Sequence, residues 1–150
     1  MPGFDWGPLL QGSGPFCIGI LNLTPDSFSD GGRFLDPEAA LRQGRALAAA
    51  GAGMLDLGAE STRPGAAPVD GEEEWRRLEP VLGLLRSELP DLPLSVDTRR
   101  PATAARALAG GAAVLNDVGG FADPAMRALA GGCSCGLIAM RSRSLAGTLW

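Results

Sequence analysis

Four groups of polar residues follow short apolar runs, and together they could handle a flat, nitrogen-rich ligand and a phosphate. Asn22 follows the first run. Glu60, Ser61, Thr62 and Arg63 follow the second, Asp97 the third, and Asn116 and Asp117 the fourth. A carboxylate such as Asp97 can accept two N–H bonds from an aminopyrimidine edge, and an amide such as Asn116 can donate and accept at once. Arg63 can fork onto a phosphate, and Thr62 adds a hydroxyl beside it. Asn22 offers a neutral oxygen suited to Mg²⁺, which takes few protein ligands alongside phosphate and water. Taken singly, each of these residues also fits a plainer role as a helix cap or turn residue. Asp26, Ser27 and Asp30 read equally well as solvated loop residues, and Glu60 as a structural carboxylate paired with an arginine.

The composition narrows the chemistry. All 13 cationic side chains are Arg, and the chain has no Lys, His or Tyr. Proton transfer must then use carboxylates, Cys or the substrate itself. Net charge is −4, with no basic patch for nucleic acid. No apolar run approaches the roughly 18 residues of a membrane span. The first residues have no basic segment followed by an apolar core, so no signal peptide is expected and the cytoplasm is the default compartment. The three cysteines, Cys17, Cys133 and Cys135, are expected as buried thiols in a reducing compartment.

The elements that must position the polar groups read as strand, loop, helix, repeated. Strands are expected at Phe16–Leu21, Met54–Leu57, Leu92–Val96, Ala112–Leu115 and Gly136–Met140. Asp36 before Pro37, Asp70 before Glu72, Glu73 and Glu74, and Asp123 before Pro124 are helix-start signals. Trp75, Leu78, Val81, Leu82 and Leu85 recur at helical spacing and are expected to face the sheet. The fold class is therefore α/β, with parallel (βα) units in one domain over 1–150; the family resemblance given below implies that these are units of a TIM barrel with about five of its eight strands present. A complete barrel typically takes about 250 residues, so the unit is expected to be truncated. Residues 141–150 carry no clear period.

The motifs also resemble those of a known family. Ile20-Leu21-Asn22-Leu23-Thr24-Pro25-Asp26-Ser27-Phe28-Ser29-Asp30-Gly31-Gly32 and Gly58-Ala59-Glu60-Ser61-Thr62-Arg63-Pro64-Gly65 are similar to the first two signatures of dihydropteroate synthases. Ser95-Val96-Asp97-Thr98 and Leu115-Asn116-Asp117-Val118 match the next two strand ends in the same order. The resemblance implies condensation of 6-hydroxymethyl-7,8-dihydropterin diphosphate with p-aminobenzoate, giving dihydropteroate and diphosphate. It implies Asn22 at Mg²⁺, Thr62 and Arg63 at the diphosphate, and Asp97 and Asn116 at the pterin edge. A loop with Thr24, Pro25, Asp26, Ser27 and Phe28 would close over p-aminobenzoate. Asp26, Ser27 and Arg63 are the residues expected nearest the reacting atoms. The resemblance ends at Met140, where the family's Met-His pair is replaced by Met140-Arg141. The family's further pterin and diphosphate residues lie beyond that point, so no turnover is expected from this chain alone. It also implies a possible homodimer if the barrel were complete. Two other readings share these motifs: a pterin-binding methyltransferase domain acting on methyltetrahydrofolate, and a non-catalytic truncated or frame-shifted product.

Overall fold

The computed structural model describes residues 4–12, 14–24, 36–60 and 69–140. A short helix, α1 (Gly7–Leu10), precedes five alternating units. These are β1 (Ile18–Asn22), α2 (Pro37–Ala49), β2 (Met54–Gly58), α3 (Gly71–Glu88), β3 (Leu94–Asp97), α4 (Pro101–Ala109), β4 (Val114–Asp117), α5 (Pro124–Gly132) and β5 (Gly136–Ala139). The strands form one sheet in the order β1-β2-β3-β4-β5, with every pair parallel. Five parallel strands alternating with helices are the (βα) units expected from the sequence.

Helix starts follow the acidic signals. Asp36 accepts from the Glu38 amide, Asp70 from that of Glu73, and Asp123 from those of Ala125 and Met126. Each satisfies an amide that the first helical turn leaves without a partner. α2 and α4 stop just before Gly51 and Gly111, whose φ values of 99° and 96° suit glycine at a helix end. Pro80 lies inside α3 but on its exposed side, where water can satisfy the carbonyl that loses its bond.

Side chains alternate across the sheet. Leu21, Leu55, Leu57, Leu94 and Val96 meet Leu41, Leu78, Val81, Leu82 and Leu85 of the helices in the main core. Trp75 sits only at its margin, because Glu74 takes the neighbouring buried position. The opposite, inner face carries Ile18, Ile20 and Asn22 of β1, with Asp56, Ser95, Asp97, Val114 and Asn116 aligned across it by register. At the amino-terminal end of the strands this face is covered by Phe4 and Trp6. Their rings pack edge to face at 5.0 Å, and the Phe4 amide donates to the Ser134 carbonyl at 2.7 Å. A Cβ at Gly136 would lie 2.6 Å from the Phe4 ring, so only glycine fits there.

Two expectations are corrected. β1, β3 and β4 begin two residues later than the apolar runs suggest, because pairing follows backbone hydrogen bonds rather than side-chain hydropathy. Asn22, Asp97, Asn116 and Asp117 consequently end the strands from within instead of following them. The cysteines are not buried thiols. Cys133 and Cys135 are joined by a disulfide and half-buried, on the connection that meets the amino-terminal segment. Cys17, just before β1, is exposed.

Candidate active site

Register brings the carboxyl ends of the strands together. Asn22 pairs with Gly58, Gly58 with Asp97, and Asp97 with Asn116. Gly58 leaves the inner face open there: a Cβ at that position would come within 3.8 Å of Asp97. One layer deeper, Asp56 pairs with Ser95, and the Asn116 amide donates to Asp56 Oδ2 at 2.9 Å.

Several buried acceptors in this layer lack a partner. Asp56 Oδ1, Ser95 Oγ and Asn116 Oδ1 are all enclosed and without a hydrogen bond among the described residues. Orphaned buried polar atoms are costly, and their grouping on one face of adjacent strands marks a place for a donor-rich ligand. Asp97 lies above them, and burial raises its pKa. The carboxylates of Asp56, Asp117, Glu74 and Glu60 add to that effect and bring it to about 7. A ligand presenting N–H groups would relieve both the repulsion and the unmet acceptors.

Asp117, at the same strand end, has a different task. It is buried, and its two carboxylate oxygens accept from the amides of Gly119 at 2.7 Å and Phe121 at 2.8 Å. Those bonds hold the turn in which Phe121 adopts a φ of 58°, an uncommon value for a bulky residue.

Glu60 is paired with arginines, as the sequence suggested. Arg99 and Arg100 donate to it at 3.1 and 2.8 Å. Burial works against its charge, but the hydrogen bonds from Arg100 and Arg99 prevail and hold its pKa below the ordinary value. Arg100 also lies 3.2 Å from Glu74.

Asn22 presents its side chain at the exposed end of β1. Among the described residues no cluster of three or more acidic, Cys or His side chains could hold a metal ion. A single amide oxygen fits Mg²⁺ that keeps its waters and a ligand's phosphate oxygens, and does not fit an all-protein cage. Pro25, Asp26, Ser27, Phe28, Thr62 and Arg63 lie outside the described residues.

Asp56 and Glu74 were not singled out from the sequence. Asp56 sits inside an apolar strand, and Glu74 is one of three consecutive glutamates at a helix start. A lone acid within a strand is the signal that could have found Asp56. Nothing in the sequence separates Glu74 from Glu72 and Glu73.

Residues 18–149 match the pterin binding enzyme family. The chain is 48% identical over 125 residues to the type-2 dihydropteroate synthase of Escherichia coli, covering 83% of this chain and 45% of that protein. It superposes with a TM-score of 0.81 and 42% identity on the Xanthomonas albilineans dihydropteroate synthase solved with 4-aminobenzoic acid. That match covers 90% of this chain and 50% of the other. The Anaplasma phagocytophilum dihydropteroate synthase, solved with 6-hydroxymethylpterin-monophosphate, is 45% identical with a TM-score of 0.76, covering 87% and 50%. The chain spans about half the length of these relatives. Among the described residues, no helix is long and apolar enough to cross a membrane.

Proposed function

The chain belongs to the pterin binding enzyme family, and on that premise we propose that it forms the pterin-edge side of a dihydropteroate synthase site. The reaction is the condensation of 6-hydroxymethyl-7,8-dihydropterin diphosphate with p-aminobenzoate. The observation that carries this reading is the grouping of Asp97 with the unpartnered acceptors of Asp56, Ser95 and Asn116. An aminopyrimidine edge supplies N–H donors to such a set, and the Asn116 amide can turn to meet a ring oxygen or nitrogen.

In this reading the methylene C–O bond of the pterin breaks and its electron pair leaves with the diphosphate. The cation left behind is delocalised into the pterin ring, the p-aminobenzoate amine attacks it, and the nitrogen then loses a proton. No enzymic nucleophile is needed, which suits a chain without Lys or His. Asp97 and Asn116 hold the ring, and a charged Asp97 favours positive charge developing on it. Thr62 and Arg63 are assigned to the diphosphate, and Pro25, Asp26, Ser27 and Phe28 to the p-aminobenzoate side, on the family resemblance. Asn22 would hold Mg²⁺, which when bound neutralises charge on the departing diphosphate. A cytoplasmic location and a homodimeric assembly belong to the same proposal.

Pterin binding tests it. Titration of the chain with 6-hydroxymethylpterin should show binding that Asp97→Asn weakens by about 2 kcal/mol or more, the scale of a hydrogen bond to a charged group. Binding should strengthen as pH rises toward about 7, because the N–H donors need the ionised carboxylate, and then level off. Wild-type affinity that Asp97→Asn leaves unchanged would refute the assignment.

A further inference from the structure

The strand ends that carry the candidate site are tied from behind the sheet. Asp97 faces the inner side, so the next residue, Thr98, is turned outward toward the helices. Thr98 is buried and makes three hydrogen bonds. Its hydroxyl donates to Glu74 Oε1 of α3 at 3.0 Å. The same oxygen accepts from the amide of Arg100, which leads into α4, at 3.1 Å. Its own amide donates to the Asn116 carbonyl of β4 at 3.0 Å.

Glu74 is the fixed point of this arrangement. It is only 1% exposed. Its second oxygen accepts from Thr103 Oγ1 of α4 at 2.6 Å, and Arg100 Nη1 lies 3.2 Å from the first. Burying a carboxylate is costly unless hydrogen bonds and a cation satisfy it, and Glu74 has both. The two threonines use it differently. Thr103 joins α3 to α4 within the helix layer. Thr98 carries the tie into the sheet, to Asp97 through one peptide bond and to Asn116 through its amide. Asp97 is the last residue of β3. The direction of its carboxylate therefore depends on its pairing with Gly58 and Asn116 and on the peptide that joins it to Thr98.

We propose that Thr98, anchored on Glu74, is a positioning residue that sets the Asp97 carboxylate and the Asn116 amide at the spacing an aminopyrimidine edge requires. A ligand that must engage both groups at once loses affinity when the anchor is cut, although neither contact residue has changed. The inference rests on the pterin-edge reading above.

The test compares full-length wild type, Thr98→Val, Thr103→Val and Thr98→Ser in urea unfolding, in hydrogen exchange followed by peptide, and in affinity for 6-hydroxymethylpterin. Each valine variant removes one hydroxyl bond to the same buried carboxylate, so both should raise the unfolding equilibrium constant about tenfold or more. Thr98→Val should also weaken the pterin roughly tenfold and speed exchange at 95–98 and 115–118 roughly tenfold. Thr103→Val should change affinity and exchange there less than about twofold, as a site outside the tie to the strand ends does. Thr98→Ser keeps the hydroxyl and should bind within about threefold of wild type. If the valine variants do not fold, Thr98→Ala and Thr103→Ala, which leave room for water at Glu74, carry the same expectations. Equal loss of affinity in Thr98→Val and Thr103→Val, unchanged affinity in Thr98→Val, or no recovery in Thr98→Ser would overturn the proposal. If wild type binds no pterin, the pterin-edge reading fails, and the exchange comparison alone decides whether Thr98 holds the two strand ends.

Discussion

At the scale of single residues, Asp97 carries a cost that the folded chain keeps in place. Its carboxyl titrates near 7 instead of at its ordinary 3.8, through burial and the neighbouring carboxylates of Asp56, Asp117, Glu74 and Glu60. The folded state then binds a proton that the unfolded state has already released, so stability falls as pH rises from about 4 to about 7. Asp97→Asn removes the titration. Its melting temperature relative to wild type should therefore rise between pH 4 and pH 8, by calorimetry, with an advantage of up to a few kcal/mol at the upper end. A constant difference across that range would contradict this account. Asn22, Asp97 and Asn116 were legible in the sequence because each ends an apolar run. Asp56 and Glu74 were not, because their importance comes from register and from Thr98, Thr103 and Arg100 arriving from other elements.

At the scale of elements, helix starts were easier to read than strand ends. Asp36, Asp70 and Asp123 announce their helices through chemistry that is local in the chain. Strand limits depend on a neighbouring strand, so the apolar runs start the first, third and fourth two residues early. Close packing between elements was equally hidden. Gly44 of α2 sits where a Cβ would lie 2.9 Å from Leu85 Cδ2 and 3.2 Å from Leu55 Cδ1. Gly44→Val should cost about 1–3 kcal/mol in urea unfolding, as overpacking does. Gly83, in α3, has nothing within 4 Å of such a Cβ. Gly83→Ala should instead stabilise by about 0.5–1 kcal/mol, because alanine is the better helix former. Equal effects at the two positions would show that the α2 contact does not constrain the fold.

At the scale of the whole molecule, the inner face of the sheet stands open at one side. Ile20 is 62% exposed and Ile18 38% exposed, although parallel sheets are normally covered on both faces. β1 and β5 have no further partner among the described strands, and such edges invite association. The repeat of strand and helix made this architecture legible, because each unit carries its own hydropathy pattern. The cover supplied by Phe4 and Trp6 was not, since it depends on Gly136 and Ser134 at the far end of the described chain.

The order of strands across the sheet is the order along the chain, and this has a consequence for how the molecule is made. Every strand after the first pairs with the one before it. The widest gap between paired residues in the register is 39 positions, from Leu55 to Leu94. Closing such short spans costs little entropy, and doubling a span adds only about 0.6 kcal/mol. As the polypeptide leaves the ribosome, each strand therefore finds its hydrogen-bonding template already synthesised. The sheet can lengthen in the direction of translation, one unit at a time, while its growing edge stays ready for the next strand.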